Sequence, residues 1–132
     1  MKKVLIGAVV VFVILEVLDF LIHGVILSPA YAAAQNIWRS DMVDKMWILH
    51  IVKIVVAFFF ALIYSKGYEG KGPLEGVRYG LYIGLMMGVG MAYGTYAMIA
   101  IPYSLALQWF IFAVFEYIVA GIGLTLVYGK RK

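Results

Sequence analysis

The sequence has no cysteine, which excludes disulfides, thiolate metal sites, cysteine nucleophiles and c-type haem attachment, and leaves the redox state of its compartment unreadable. Proline is limited to three residues and histidine to two, so each proline is a candidate boundary and each imidazole has to be accounted for. Charge is scarce too: 14% of the 132 residues are charged and 65% are hydrophobic, far from the balance of a soluble domain. A formal net charge of +4 would hint at nucleic acid in a soluble chain. Here the basic residues sit at the ends of apolar runs, where lipid headgroups and topology explain them. No nucleic-acid partner is expected; the lipid bilayer is.

The apolar runs themselves predict an all-α integral membrane protein, a four-helix transmembrane bundle forming one domain over residues 1–132. The spans are read at about 4–27, 46–64, 74–100 and 103–128. Ser28-Pro29 ends the first, because proline cannot continue a helix. The glycine-rich turn from Lys66 to Pro73 separates the second from the third, and Pro102 opens the last. Ala32-Ala33-Ala34 mimics a signal cleavage site, but a signal core is ~7 to 15 residues without acids. The first run is longer than that and carries Glu16 and Asp19, so it is read as a retained span.

With four spans both termini share a side. That side collects Lys2, Lys3, Lys66, Lys71, Arg78, Lys130, Arg131 and Lys132, against Arg39 and Lys45 on the other. The positive-inside rule then predicts cytoplasmic termini, with the 28–45 connection, including Trp38 at headgroup level, facing outward.

Within the first span, Glu16, Asp19 and His23 fall within ~60° of one another at helical spacing and form one polar stripe. A charge near the bilayer centre is expensive and usually faces protein, water or a partner ion. Counting ~1.5 Å per residue from the outer span ends places His23 and His50 level, Lys53 and Gln108 next, Asp19 deeper, and Glu16 and Glu116 near the midplane. Ionised Glu16, Asp19 and Glu116 sum to −3 against +1 from Lys53, so the interior must protonate carboxylates or admit a cation.

Asp19 and His23 at i, i+4 can hold one ion from a single helix, with His50 as a third ligand and Glu16 or Glu116 completing or bridging the site. Imidazole and carboxylate without sulfur suit zinc, copper, iron or manganese. The plainer alternative is a structural ion pair of Asp19 or Glu16 with Lys53. Two level histidines also admit a haem b held by one imidazole from each helix, and the three acids admit a proton or cation pathway.

The third run carries Gly76, Gly80, Gly84 and Gly88 at four-residue intervals, the small-residue pattern that lets helices approach closely in lipid. The close partner is another helix of the bundle or a second protomer. Tyr93 and Tyr96 lie at the depth of the histidines and, with Lys53 and Gln108, are candidate hydrogen-bond supports for the site.

The runs Asp19-Phe20-Leu21-Ile22-His23-Gly24, Trp38-Arg39, Glu69-Gly70-Lys71-Gly72 with Glu75-Gly76-Val77-Arg78-Tyr79-Gly80, and Ile101-Pro102-Tyr103-Ser104-Leu105-Ala106-Leu107-Gln108-Trp109 resemble an uncharacterised family of small four-span bacterial inner-membrane proteins. The resemblance implies a multi-pass protein of the bacterial inner (cytoplasmic) membrane. It carries no known activity, so it transfers no role to any residue. The residues themselves favour an outward-facing intramembrane site for a transition metal or other small cation. The rival is an accessory or scaffold subunit whose polar residues dock a partner membrane subunit.

Overall fold

The computed structural model describes residues 1–129, and the Lys130, Arg131 and Lys132 tail used in the orientation argument lies outside that range. Among the described residues the chain is all helical, with no strand. Helix α1 (Lys2–Leu21) runs on through a π-helical turn, Ile22–Ile26. A short α2 (Ser28–Ala33), with Pro29 in its first turn, and two 3-10 turns lead to α3 (Met46–Gly67). α4 (Pro73–Gly88) continues through a second π-helical turn, Val89–Tyr93, into α5 (Gly94–Met98), and α6 (Tyr103–Tyr128) closes the chain.

Among the described residues, three stretches are long and apolar enough to cross a membrane: Lys2–Ile26, Val43–Gly67 and Tyr103–Tyr128, which is the signature of a membrane protein. The stretch from Pro73 to Met98 matches them in length. Its glycines and tyrosines make it less apolar.

α1 lies in the middle, packed on α3 at one side and on α6 at the other, while α4 packs most extensively on α6. Glycine explains the last contact. A Cβ at Gly76 or Gly80 would strike the carbonyl oxygen of Gly121 or Tyr117, and one at Gly84 would lie 2.9 Å from the Val114 Cα. Only bare backbone allows that approach, which in lipid stands in for a hydrophobic driving force between helices. The glycine ridge therefore meets α6 of the same chain. α3 and α4 are joined instead by aromatic side chains: the Tyr79 hydroxyl donates to the Phe60 carbonyl at 2.7 Å, and the two rings lie 4.6 Å apart.

Two apolar clusters divide the interior. One, at the end carrying both termini, contains Val4, Val11, Leu15, Ala57, Phe60, Ala61, Tyr117 and Leu124. The other, at the opposite end, contains Ile22, Leu27, Ile101, Leu105 and Ala106. Glu16, Asp19, Lys53 and Glu116 of α1, α3 and α6 sit between them.

The α3–α4 turn shows how a tight loop is fixed. Gly70 and Gly72 adopt φ of 77° and 88°, a region open to glycine at little cost. That curvature wraps the backbone around the buried Glu75, whose carboxylate accepts the Glu69 and Lys71 amides at 2.7 Å each. In the 28–45 connection Arg39 donates twice to Asp41, at 2.6 and 3.1 Å. Lys45 lies at 3.3 Å. These cations hold the Asp41 carboxyl below the ordinary carboxylate range, with Arg39 contributing most.

Candidate functional site

The polar stripe of α1 is covered from two sides. Helical spacing sets Glu16, Asp19 and His23 on one face, and the π-helical turn begins at Ile22, where the chain closes an i to i+5 bond from the Leu27 amide to the Ile22 carbonyl at 2.7 Å. Such single-turn π segments often mark functional positions, because the extra residue re-aims the side chains around it. His23 is inside it.

From α3, the Lys53 ammonium reaches between two carboxylates, 3.0 Å from Asp19 Oδ2 and 3.2 Å from Glu16 Oε2. From α6, Glu116 arrives beside Asp19 and His23. Each of these three offers one ligand atom, and the three atoms all lie within 4.8 Å of one another. Asp19 Oδ1 and His23 Nε2 are 3.7 Å apart. For ligands at ~2.1 Å from a tetrahedral zinc-like ion the edge is ~3.4 Å. The widest of these separations must contract by up to about 1.4 Å for the group to close on an ion.

Glu116 is 7% exposed, and its Oε1 has no hydrogen-bond partner among the described residues. Buried carboxylate oxygens are normally satisfied, since an unmade bond there costs the full desolvation penalty. A buried carboxyl that keeps one oxygen unpaired and lies beside a second carboxylate and an imidazole has the setting of a ligand.

His23 is oriented by groups from the connection and from α6. Its Nδ1 meets the Tyr31 hydroxyl at 2.5 Å, and the Trp109 indole N–H donates to the same oxygen at 2.6 Å. Burial pushes the Tyr31 phenol up to about 12, so it acts as a neutral hydroxyl. The Tyr31 ring stacks on His23 at 5.9 Å, and Trp38, edge-on, and Trp109, tilted, pack against Tyr31 and each other with centroids 5.5 to 6.3 Å apart.

His50 stands apart from this group. Its Nδ1 lies 2.7 Å from Glu16 Oε1, and its side chain is 56% exposed. The two imidazoles thus engage different partners, one on Tyr31 and one on Glu16, with Lys53 linking the carboxylates between them. Counting rungs from the span ends puts Glu16 about 10 Å deeper than His50, yet the two touch. α3 enters one 3-10 turn earlier than the expected Met46, at Val43, so equal counts from the span ends do not give equal heights.

Several candidates fall elsewhere. The Tyr93 hydroxyl faces that of Tyr103 at 3.4 Å, and Tyr96 packs edge-on against the Tyr103 ring. Gln108 is exposed. The hydrogen-bond support of His23 comes instead from Tyr31 and Trp109, which the sequence reading did not select. A signal was there, since Tyr31 follows His23 by eight residues across Ser28-Pro29, but a chain reversal at that proline had to be known first.

Comparison with protein-family models, with curated proteins and with solved structures found no match. The functional reading therefore rests on geometry.

Proposed function

We propose that the chain is a four-helix transmembrane protein of a bacterial inner membrane, termini cytoplasmic, whose intramembrane polar site binds one divalent transition-metal ion. Asp19 and His23 from α1 and Glu116 from α6 are the ligands, leaving a position for water or a substrate group. The observation that carries this reading is the three-ligand group itself, which includes a buried Glu116 with one oxygen unpartnered among the described residues. Charge supports it: −3 from Glu16, Asp19 and Glu116 with +1 from Lys53 leaves −2, which a divalent ion neutralises while both imidazoles stay neutral.

A second reading has its own observation. Lys53 bridges Glu16 and Asp19, and that ion pair alone can fix α1 against α3 in an accessory subunit.

Elemental analysis of detergent-purified protein separates the two. Under the metal reading the wild type carries one equivalent of a transition metal. Glu116→Gln and His23→Ala lose it, whereas His50→Ala keeps it. A wild type that stays metal-free after incubation with zinc, manganese, iron and copper salts, together with a Lys53→Ala variant destabilised by ~3 to 5 kcal/mol, would establish the ion pair instead.

A further inference from the structure

We propose a second site, independent of the metal reading and resting only on membrane placement: the seam between α3 and α4 holds one anionic glycerophospholipid. Its phosphate sits at Arg78, and one acyl chain lies along the helices.

The seam is open because the glycine face of α4 is committed to α6. Two hollows of about 200 and 180 Å³ lie along it. They share Ile63 and Tyr79, so they run end to end. The first is polar at its mouth, lined by Tyr64, Glu75 and Arg78 among others. The second is apolar, with Val55 and Phe59 as one wall, Ile83 and Met87 as the other, and Tyr117 beneath. Tyr79 does not interrupt the apolar part, since its hydroxyl is spent on the Phe60 carbonyl.

Length fits one leaflet. From Ile63 to Val55 the wall runs eight residues, or ~12 Å, close to half of a hydrocarbon core ~30 Å thick. The polar hollow lies at the end of the molecule that carries Lys2, Lys3, Lys66 and Lys71, a setting that attracts anionic headgroups.

The donors are in place. Both Glu75 oxygens face loop amides. Glu69 is ion-paired with Lys71 and reaches Arg78 only at 4.0 Å, so the half-exposed guanidinium keeps N–H groups for a phosphate. Tyr64, 3% exposed, lines the same hollow, and its hydroxyl has no partner among the described residues. An apolar groove whose mouth offers the Arg78 guanidinium and a buried hydroxyl, with the Glu75 carboxylate already satisfied by loop amides, matches a lipid rather than a protein helix.

The test uses the full-length protein reconstituted in vesicles of equal phosphatidylglycerol and phosphatidylcholine, extracted in mild detergent and weighed by native mass spectrometry. One phosphatidylglycerol per chain is expected to remain, undisplaced by millimolar inorganic phosphate. Arg78→Gln should reduce the preference for phosphatidylglycerol about tenfold, the loss of a charge-assisted hydrogen bond. Met87→Trp, at a partly exposed position, should fill the groove and end retention of either lipid. Equal retention of both lipids, or an undiminished preference in Arg78→Gln, overturns the proposal. So does a dimer with cross-links from Phe59 of one protomer to Met86 of its partner, because a second copy would then cover the groove.

Discussion

At the residue scale the site turns on donor and acceptor logic around His23. The Trp109 indole can only donate, so it takes a lone pair of the Tyr31 oxygen. The Tyr31 proton is then free for His23 Nδ1, which leaves the Nε2 proton directed at the carboxylates when no ion is bound. If a metal bound at Nε2, the imidazole proton would sit on Nδ1 and donate to the Tyr31 oxygen, whose own proton would turn away, much as the second nitrogen of metal-ligating histidines is held elsewhere. Tyr31→Phe removes that oxygen and keeps the ring packing. Its expected effect is a metal affinity ~10- to 100-fold weaker with stoichiometry intact at saturation, measured by chelator competition. Unchanged affinity would reduce Tyr31 to a packing residue. Much of this site could be read from the chain: three acids, Lys53 and two imidazoles in apolar runs had to find one another. Which imidazole joined which acid could not, because that depends on the offset between α1 and α3 and on the π-helical turn at His23, and neither leaves a residue-type signal.

At the scale of elements, α4 and α6 show what a glycine repeat can and cannot announce. Four-residue spacing points to a close helix contact, but the partner is chosen by shape on the other side, where Gly121 and the backbone of α6 at Tyr117 meet the ridge. The repeat is thus readable from α4 alone and its partner is not. Substitutions separate the two kinds of glycine. Gly80→Ala would place a Cβ against the Tyr117 carbonyl oxygen and the Ile118 Cα, atoms of backbone that cannot rotate away. The helices must separate, at a cost of ~1 to 3 kcal/mol for overpacking. Gly94→Ala meets nothing within 4 Å at a position already right-handed helical, where alanine gains up to ~1 kcal/mol over glycine. Thermal unfolding in one detergent should therefore move in opposite directions for the two variants. A Gly80→Ala protein as stable as wild type would mean that α4 and α6 are looser than the geometry shows.

At the scale of the whole molecule, placement in the bilayer decides what the site and the seam can meet. The clusters at the two ends are both apolar, so packing alone does not say which end faces the cytoplasm; the distribution of Lys and Arg does. The four helical stretches alternate in direction, which puts the 28–45 connection at one end and both termini, with the α3–α4 turn, at the other. The stretch from Pro73 to Met98 is the critical one, because it is less apolar than the rest and the direction of α6 depends on it. If it crosses, a reporter fused after Lys132 reads cytoplasmic and one inserted after Ser40 reads external, as eight basic residues against two require. If it does not cross, the C-terminal reporter moves to the outside while one in the α3–α4 turn stays cytoplasmic. α4 would then lose its place beside α6, and the backbone contacts of Gly76 and Gly80 could not form. Fusions after Ser40, Gly70 and Lys132, with the pattern external, cytoplasmic, cytoplasmic, test the fold and its orientation together. The opposite pattern at all three sites would turn the molecule over, placing the Asp19, His23 and Glu116 group toward the cytoplasm and the mouth of the α3–α4 groove toward the outer leaflet.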